Sequence, residues 1–230
     1  MKQKISVILP TYNEKDNILP LINCISNELK DYNFEILVID DNSPDGTGQR
    51  VLNSKKKNVR TIIRKTDKGL ASAIKHGIIQ SKGDIVVIMD TDFNHHPKYI
   101  PRLLHYLPEY DISIGSRFVK GGGMEGAKIR WYASYMINLF IRTMLKLKTR
   151  ENLSGFLAIK KEVLSHINLN KIFKGYGDYN IRLFNEVRGK KIKEIPVIYK
   201  KRLYGESKTR LIGHLIQYIK TVIRLRCNTR

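Results

Sequence analysis

Two aspartates, Asp90 and Asp92, flank Thr91 in "IVVIMDTDFNHHP" (residues 85–97), directly behind a run of apolar residues. Where a strand breaks, carboxylates so spaced can both reach one hard divalent cation, which prefers oxygen ligands and keeps phosphate oxygens among them. The same pair would also serve as a turn and helix N-cap ahead of Pro97, so the spacing alone leaves both readings open. A second acidic stretch, "DDNSPDGT" (40–47), begins with Asp40 closing another apolar run. A carboxylate there needs hydrogen-bond donors, and a nucleotide base or ribose hydroxyls are suitable ones. Ser43, Pro44 and Gly46 make an ordinary turn, and a helix beginning just beyond it favours anions at its N-terminus. His95 and His96 are adjacent and do not readily face one cation together, so hydrogen-bonding roles are expected for them.

The elements that position these acids are visible as hydropathy patterns. Short β-branched runs at 5–10, 34–40, 59–64, 84–90 and 110–116 alternate with helical patterns at 15–29 and 69–81. In the first helix Ile18, Leu21, Ile22 and Ile25 fall on one face. This alternation predicts βαβ units and an α/β fold, with a Rossmann-like, mostly parallel central sheet flanked by helices. Ligands of such sheets lie outside the carboxyl ends of the strands. The loops 10–14, 40–47 and 90–97 follow those ends, so they are expected to converge on one edge.

Beyond Gly121–Gly123 the pattern changes. Residues 131–147 are helical and strongly apolar, interrupted only by Arg142 and Lys146. A strand is expected at 155–163, a helix at 179–188, a further strand at 192–200, and a basic amphipathic helix at 211–226. No boundary or repeat separates the halves, and the second reads as an extension of the same sheet.

A chain of 230 residues with 42% hydrophobic content fits one domain with a real core. Its 42 Lys and Arg against 21 Asp and Glu leave a charge of +21, which points to a polyanionic partner, while most individual lysines fit a solvated surface. Nucleic acid, an anionic membrane face and phosphorylated small molecules all qualify. No helix-turn-helix, zinc-finger or aromatic RNA-binding signature accompanies the charge, and acids crowd the expected site, so a nucleic-acid binder is disfavoured. Cys24 and Cys227 lie far apart and outside any C-x-x-C pattern, which suits a reducing compartment. The first apolar run is too short for a signal-peptide core, and no run of about 18 apolar residues marks a spanning helix. A soluble or membrane-surface protein is expected.

Seven stretches in order, "PTYNE" (10–14), "IDDNSPDGT" (39–47), "KGLASAIKHG" (68–77), "MDTDFNHHPKYIP" (89–101), "GSRFVKGG" (115–122), "NLSGFLAIKKEVL" (152–164) and "RLYGESK" (202–208), resemble a family-2 inverting glycosyltransferase of the GT-A fold. Within that family they are similar to the polyprenyl-phosphate sugar transferases typified by dolichol-phosphate mannose synthase. The resemblance spans roughly residues 5–210.

The resemblance implies transfer of mannose from GDP-mannose to dolichyl or polyprenyl phosphate, with inversion and a divalent cation, Mg2+ or Mn2+. It implies that Pro10, Tyr12, Glu14, Ile39, Asp40, Asp41 and Lys68 line the nucleotide-sugar pocket with Asp90, Thr91 and Asp92. Asp90 and Asp92 become the metal-diphosphate residues; Asn94, where many relatives carry Gln or Ser, is a third candidate ligand. Arg117, Arg130, Ser134, Arg202 and Lys208 become the grip on the acceptor phosphate, with Ser207 a weaker candidate and Gly205 serving a turn. Arginine suits that task because it is always charged and offers bidentate contacts. Asp90, Asp92 and Arg117 are the implied catalytic residues. A phosphate whose second pKa is about 6 is already largely a dianion near neutral pH, so such an acceptor needs positioning rather than a general base.

The chain departs from the family at Asn152, where relatives usually carry Asp, and Asp178 in "GYGDYN" is a candidate to compensate. Two other readings keep the fold: a lipid-phosphate transferase using UDP-glucose or another nucleotide sugar, and a transferase acting on a saccharide hydroxyl, which would need a general base. Residues 1–210 are expected to form the catalytic domain and 211–230 a basic amphipathic helix at the membrane interface. Helix 131–147 suits either that interface or the core. The expected location is peripheral, on the cytoplasmic face of a membrane: the endoplasmic reticulum in a eukaryote, the plasma membrane in a prokaryote. The protein would act there alone or with a separate membrane-spanning subunit.

Overall fold

In β1 (Lys4–Thr11) alternate side chains face opposite sides of a sheet, and the core divides accordingly. Ile5, Val7 and Leu9 pack with α1 (Lys15–Glu28), whose Ile18, Leu21, Ile22 and Ile25 are buried as their spacing predicts. Ile8 faces the other way, into a cluster with Ala71, Ile74 and Ile78. The computed structural model describes residues 3–126, 128–201 and 211–227.

The chain continues through β2 (Asn33–Asp40), α2 (Thr47–Asn53), β3 (Val59–Ile63), α3 (Leu70–Gln80) and β4 (Ile85–Ile88). A short turn of 3-10 helix at Pro97–Tyr99 leads into α4 (Ile100–His105), β5 (Ile112–Ser116), β6 (Gly123–Met124) and α5 (Lys128–Leu145). Then come β7 (Leu157–Lys160), α6 (Lys161–Ser165), α7 (Leu169–Ile172), α8 (Tyr179–Glu186), β8 (Ile192–Pro196), β9 (Ile198–Tyr199) and α9 (Leu211–Cys227).

The main sheet has seven strands in the order β3-β2-β1-β4-β7-β5-β8. Strands β1 to β4 are mutually parallel, as the βαβ pattern requires. The second half extends this sheet, as expected: β7 joins it antiparallel to both β4 and β5, and β8 follows β5 at the edge opposite β3. The expected strand at 155–163 ends at Lys160, where α6 begins, and 192–200 divides into two strands. After Pro196 one more bond, from Val197 N–H to Ser116 O at 3.1 Å, completes the pairing with β5, and the chain then pairs Ile198 and Tyr199 with β6. Among the described residues no helix is long and apolar enough to cross a membrane.

Candidate active site

The parallel register places the acid-bearing loops side by side. Pro10 pairs with Ile39 and Thr11 with Asp40, so "PTYNE" and "DDNSPDGT" leave the sheet together. The loops are then stitched: Asn13 N–H donates to Ser43 Oγ at 3.0 Å, Glu14 N–H to Thr47 Oγ1 at 3.0 Å, and Lys15 N–H to Asp45 Oδ2 at 3.1 Å. Asp40 is buried and accepts from Ser43 N–H at 2.9 Å. Helix α2 starts hard against it: a Cβ on Gly48 would stand 2.8 Å from Asp40 Oδ2. Asp41 accepts from the Arg64 guanidinium and, at 2.7 Å, from Gly69 N–H. This draws the loop that carries exposed Lys68 to the same edge. Tyr12 is exposed, and the buried Glu14 carboxylate accepts from Asn17 Nδ2 at 2.7 Å.

Beside them β4 ends, and Asp90, Thr91 and Asp92 follow Met89. Asn94 holds Asp92 by two bonds, its N–H to Oδ1 at 3.0 Å and its Nδ2 to Oδ2 at 2.5 Å. The field of these two carboxylates reaches two tyrosines. Burial first, and then the Asp90 charge, raise the Tyr179 and Tyr199 hydroxyls far above the usual phenol range, with Asp92 adding to the effect on Tyr199. Gly155 keeps space open here: a Cβ on it would lie 2.9 Å from Tyr179 Oη and 3.6 Å from Asp90 Oδ1. Among the described residues no three His, Cys, Asp or Glu side chains gather into a closed cage. Two carboxylates beside a glycine-made space fit a hard cation that completes its shell with diphosphate oxygens and water.

The two histidines separate. His96 is the N-cap of the 3-10 turn, accepting Lys98 N–H at Nδ1. His95 is buried, stacked on Phe156 and edge-on to Tyr199, with Nε2 3.2 Å from Ser154 Oγ. Burial, and then the charge of Arg117, lower its pKa to about 3, so it is neutral.

Arg117 follows β5. Its guanidinium is held by Glu151 through bonds of 2.7 and 2.8 Å and lies over the rings of Phe118 and Tyr199. Burial opposes its charge, but Glu151 more than compensates and the pKa is raised. Phe118 also contacts Trp131 and Tyr135 of α5, which brings the first turns of that helix, with exposed Arg130 and half-buried Ser134, up to Arg117. Arg202, Gly205, Ser207 and Lys208 lie outside the described residues.

Asn152 and Asp178 are both buried but serve different junctions. Asn152 N–H donates to Asn138 Oδ1 at 2.7 Å, and its Oδ1 accepts from Thr149, which ties α5 to the loop before β7. The Asp178 carboxylate accepts from Arg182, from Gln217 at 3.1 Å and from Thr221 at 2.9 Å, clamping α8 to α9. Burial raises its pKa, but these donors outweigh burial and leave the pKa lowered.

Helices α5 and α9 pack together, and each has two apolar faces. Ile141, Leu145 and Val222 are buried, whereas Ile129, Tyr132, Met136 and Phe140 of α5 and Leu215, Ile216, Ile219 and Ile223 of α9 are exposed. Helix 131–147 is thus core on one side and apolar surface on the other. Sequence reasoning missed Arg64, Glu151, Gly155, Tyr179 and Tyr199. Arg64 alone had a signal, since it follows β3 just where Asp41 follows the register-paired β2.

Comparison with known proteins agrees with this architecture. The model of Glycosyl transferase family 2 matches residues 6–167. A dolichol-phosphate mannosyltransferase of Pyrococcus furiosus is 37% identical over 96% of this chain, which spans 63% of that relative's length. An undecaprenyl-phosphate mannosyltransferase of Micrococcus luteus is 34% identical over 89% of this chain and 87% of its own. A dolichol-phosphate mannosyltransferase of Saccharomyces cerevisiae is 31% identical over 98% and 88%. Among solved structures, glucosyl-3-phosphoglycerate synthase from Mycobacterium tuberculosis, in complex with Mn2+, UDP and phosphoglyceric acid, superposes with a TM-score of 0.74 at 23% identity, covering 97% of this chain and 78% of that one. The same enzyme with Mg2+ and UDP gives 0.72 at 24% identity, covering 98% and 80%. With its mostly parallel GT-A sheet and a family match over most of its length, the chain belongs to glycosyl transferase family 2 and is a glycosyltransferase.

Proposed function

We propose that this glycosyltransferase moves mannose from GDP-mannose to the phosphate of a polyprenol or dolichol, inverting the anomeric centre. The observation that carries the reading is the pairing of two sites within one chain. The acidic strand end, through Asp92, is linked by two side chains in series, Asn94 and Tyr199, to a buried, always-charged arginine, Arg117. Three relatives named for mannosyl transfer to lipid phosphates support mannose as the sugar and a lipid phosphate as the acceptor.

In this mechanism Pro10, Tyr12, Glu14, Ile39, Asp40, Asp41 and Lys68 hold the nucleotide, and Asp90, Thr91 and Asp92 face its diphosphate. Asp90 and Asp92, with Asn94, would hold the divalent cation, which when bound offsets the negative charge that develops on the departing diphosphate. Arg117, Arg130 and Ser134, with Arg202 and Lys208, orient the acceptor phosphate for attack from the face opposite the leaving group. One phosphate oxygen forms the new bond to the sugar C1, the bond from C1 to the diphosphate oxygen breaks, and GDP leaves with that electron pair. No proton needs to be removed from the acceptor. An α-linked donor therefore gives a β-linked lipid phosphate. Glu151 keeps Arg117 in place without occupying a reacting position.

We assign residues 1–210 to the catalytic domain. The outer faces of α5 and α9, apolar and flanked by Lys128, Arg130, Lys220, Arg224 and Arg226, suit the surface of an anionic bilayer where the lipid acceptor resides. The cytoplasmic face of that membrane, where GDP-mannose is available, is the proposed location.

The test is formation of radiolabelled mannosyl lipid from GDP-mannose and a short-chain polyprenyl phosphate with Mn2+ or Mg2+, beside UDP-glucose and beside Asp92→Ala. Mannosyl lipid that falls at least about a hundredfold in the variant is expected. Tight nucleotide-sugar binding with no lipid product from either donor overturns the lipid-phosphate reading. The same reaction on phosphatidylglycerol vesicles tests docking, because activity that fails to sediment with them removes the membrane from the scheme.

A further inference from the structure

Tyr199 belongs to none of the residue sets assigned above, yet it touches both halves of the site. Its hydroxyl accepts Asn94 Nδ2 at 2.8 Å, and the same amide nitrogen donates to Asp92 Oδ2 at 2.5 Å. Both protons of the amide are thereby used, so the side the Asn94 oxygen faces is fixed by Tyr199 and Asp92 together. The backbone ties the loop after β4 to the end of β9, since Lys200 N–H donates to Asn94 O at 2.8 Å. On the other side, the Tyr199 ring face carries the Arg117 guanidinium at 5.2 Å, and the His95 ring meets it edge-on at 4.8 Å. Strand β9 leads directly into 202–208, where further acceptor candidates lie.

We propose that Tyr199 is a positioning residue that couples the divalent-cation and diphosphate end of the site to its acceptor end. The hydroxyl sets Asn94 and through it Asp92; the ring sets Arg117. The inference rests on the reading that Asp92 and its neighbours hold a cation with a nucleoside diphosphate, and it does not depend on the identity of the acceptor. A phenylalanine at this position would keep the platform for Arg117 and lose the link to Asn94, so the two roles are separable.

The experiment measures Mn2+ affinity by electron paramagnetic resonance with GDP present, and with UDP beside it, for wild type, Tyr199→Phe, Asn94→Ala and the double variant. Tyr199→Phe is expected to weaken Mn2+ binding about fivefold, the equivalent of one hydrogen bond. The double variant is expected to match Asn94→Ala alone, because the hydroxyl acts through that amide. In the transfer assay Tyr199→Phe is expected to lower kcat while the acceptor KM stays within about twofold, and Tyr199→Leu is expected to raise that KM severalfold. A purely structural tyrosine would give additive losses. Unchanged Mn2+ affinity in Tyr199→Phe, or additive losses in the double variant, overturns the inference. So does a wild-type protein that binds Mn2+ with neither nucleotide, which removes the cation reading as well. If the Tyr199→Phe loss appears although no lipid product forms, the inference stands and only the lipid-phosphate reading falls.

Discussion

The proposed donor half and the proposed acceptor half of the site are built by different means. In the donor half Asp40, Asp41, Asp90 and Asp92 stand at or just beyond the end of a parallel strand, and the partners of Asp40, Asp41 and Asp92 come from the same or an adjacent loop. Even the buried pair Asp41–Arg64 joins residues that neighbouring, register-matched strands deliver to the same edge. In the acceptor half the charges are held by side chains from irregular loops and separate helices. Glu151 reaches Arg117 from the loop before β7, and, outside the assigned site residues, Asp178 gathers Arg182, Gln217 and Thr221 from two helices. A sheet edge positions groups through a repeated backbone pattern. A cationic pocket made by chain crossings depends on individual buried polar contacts, and each of those is a point of failure.

That contrast predicts where the molecule breaks. Glu151→Ala leaves the Arg117 charge enclosed without its carboxylate, and a loss of about 3–5 kcal/mol is expected in urea denaturation. A loss below about 1 kcal/mol would show that the arginine finds water or another acid, and would erase the distinction between the halves. Asp178→Ala leaves Arg182 with the Ile172 and Lys174 carbonyls but without its carboxylate, and frees two donors on α9. About 2–3 kcal/mol is expected, and amide exchange is expected to quicken in 211–227 before it does in β1 or β2. Uniform exchange across both regions would mean that the clamp is not what holds α9.

The smallest effect is a slope. The His95 pKa falls from 6.5 to about 3 in the folded protein, so between these values the unfolded chain binds a proton that the folded one does not. Stability from this group is fully present above about pH 6.5 and declines as pH drops toward 3, by up to about 1.4 kcal/mol per pH unit. Denaturation of wild type and His95→Gln at pH 6 and pH 4.5 checks this, with the shallower slope expected in the variant. Equal slopes would place the histidine in contact with water.

These outcomes bear on what a sequence can reveal. Asp40, Asp90 and Asp92 were readable because strand period and strand-end position are local properties, and the rule linking strand ends to ligands supplied the third dimension. Likewise the one-sided burial of α1 followed from its spacing alone. The antiparallel placement of β7 was not readable, since its apolar run is equally suited to either direction and to either the edge or the interior of the sheet. Glu151 and Tyr199 carry no local mark of importance; their partners are 34 and 105 residues away. The sequence shows a carboxylate at Asp178 but not its donors, which come from α8 and α9.

The reversed strand also bears on how the chain folds as it is made. Strands β1 to β4 can pair once roughly the first 90 residues have emerged, but the free side of β4 then waits for Leu157–Lys160, and β5 has no neighbour until the same segment arrives. At 5–20 residues per second, close to 70 residues of synthesis separate the two events by roughly 4 to 14 seconds. For that interval an unpaired, fully apolar strand edge carrying the two aspartates is open to pairing with other chains. Slow translation or scarce chaperone in this window would lower the yield of soluble enzyme, and a ribosome pause placed just after β7 would have the opposite effect.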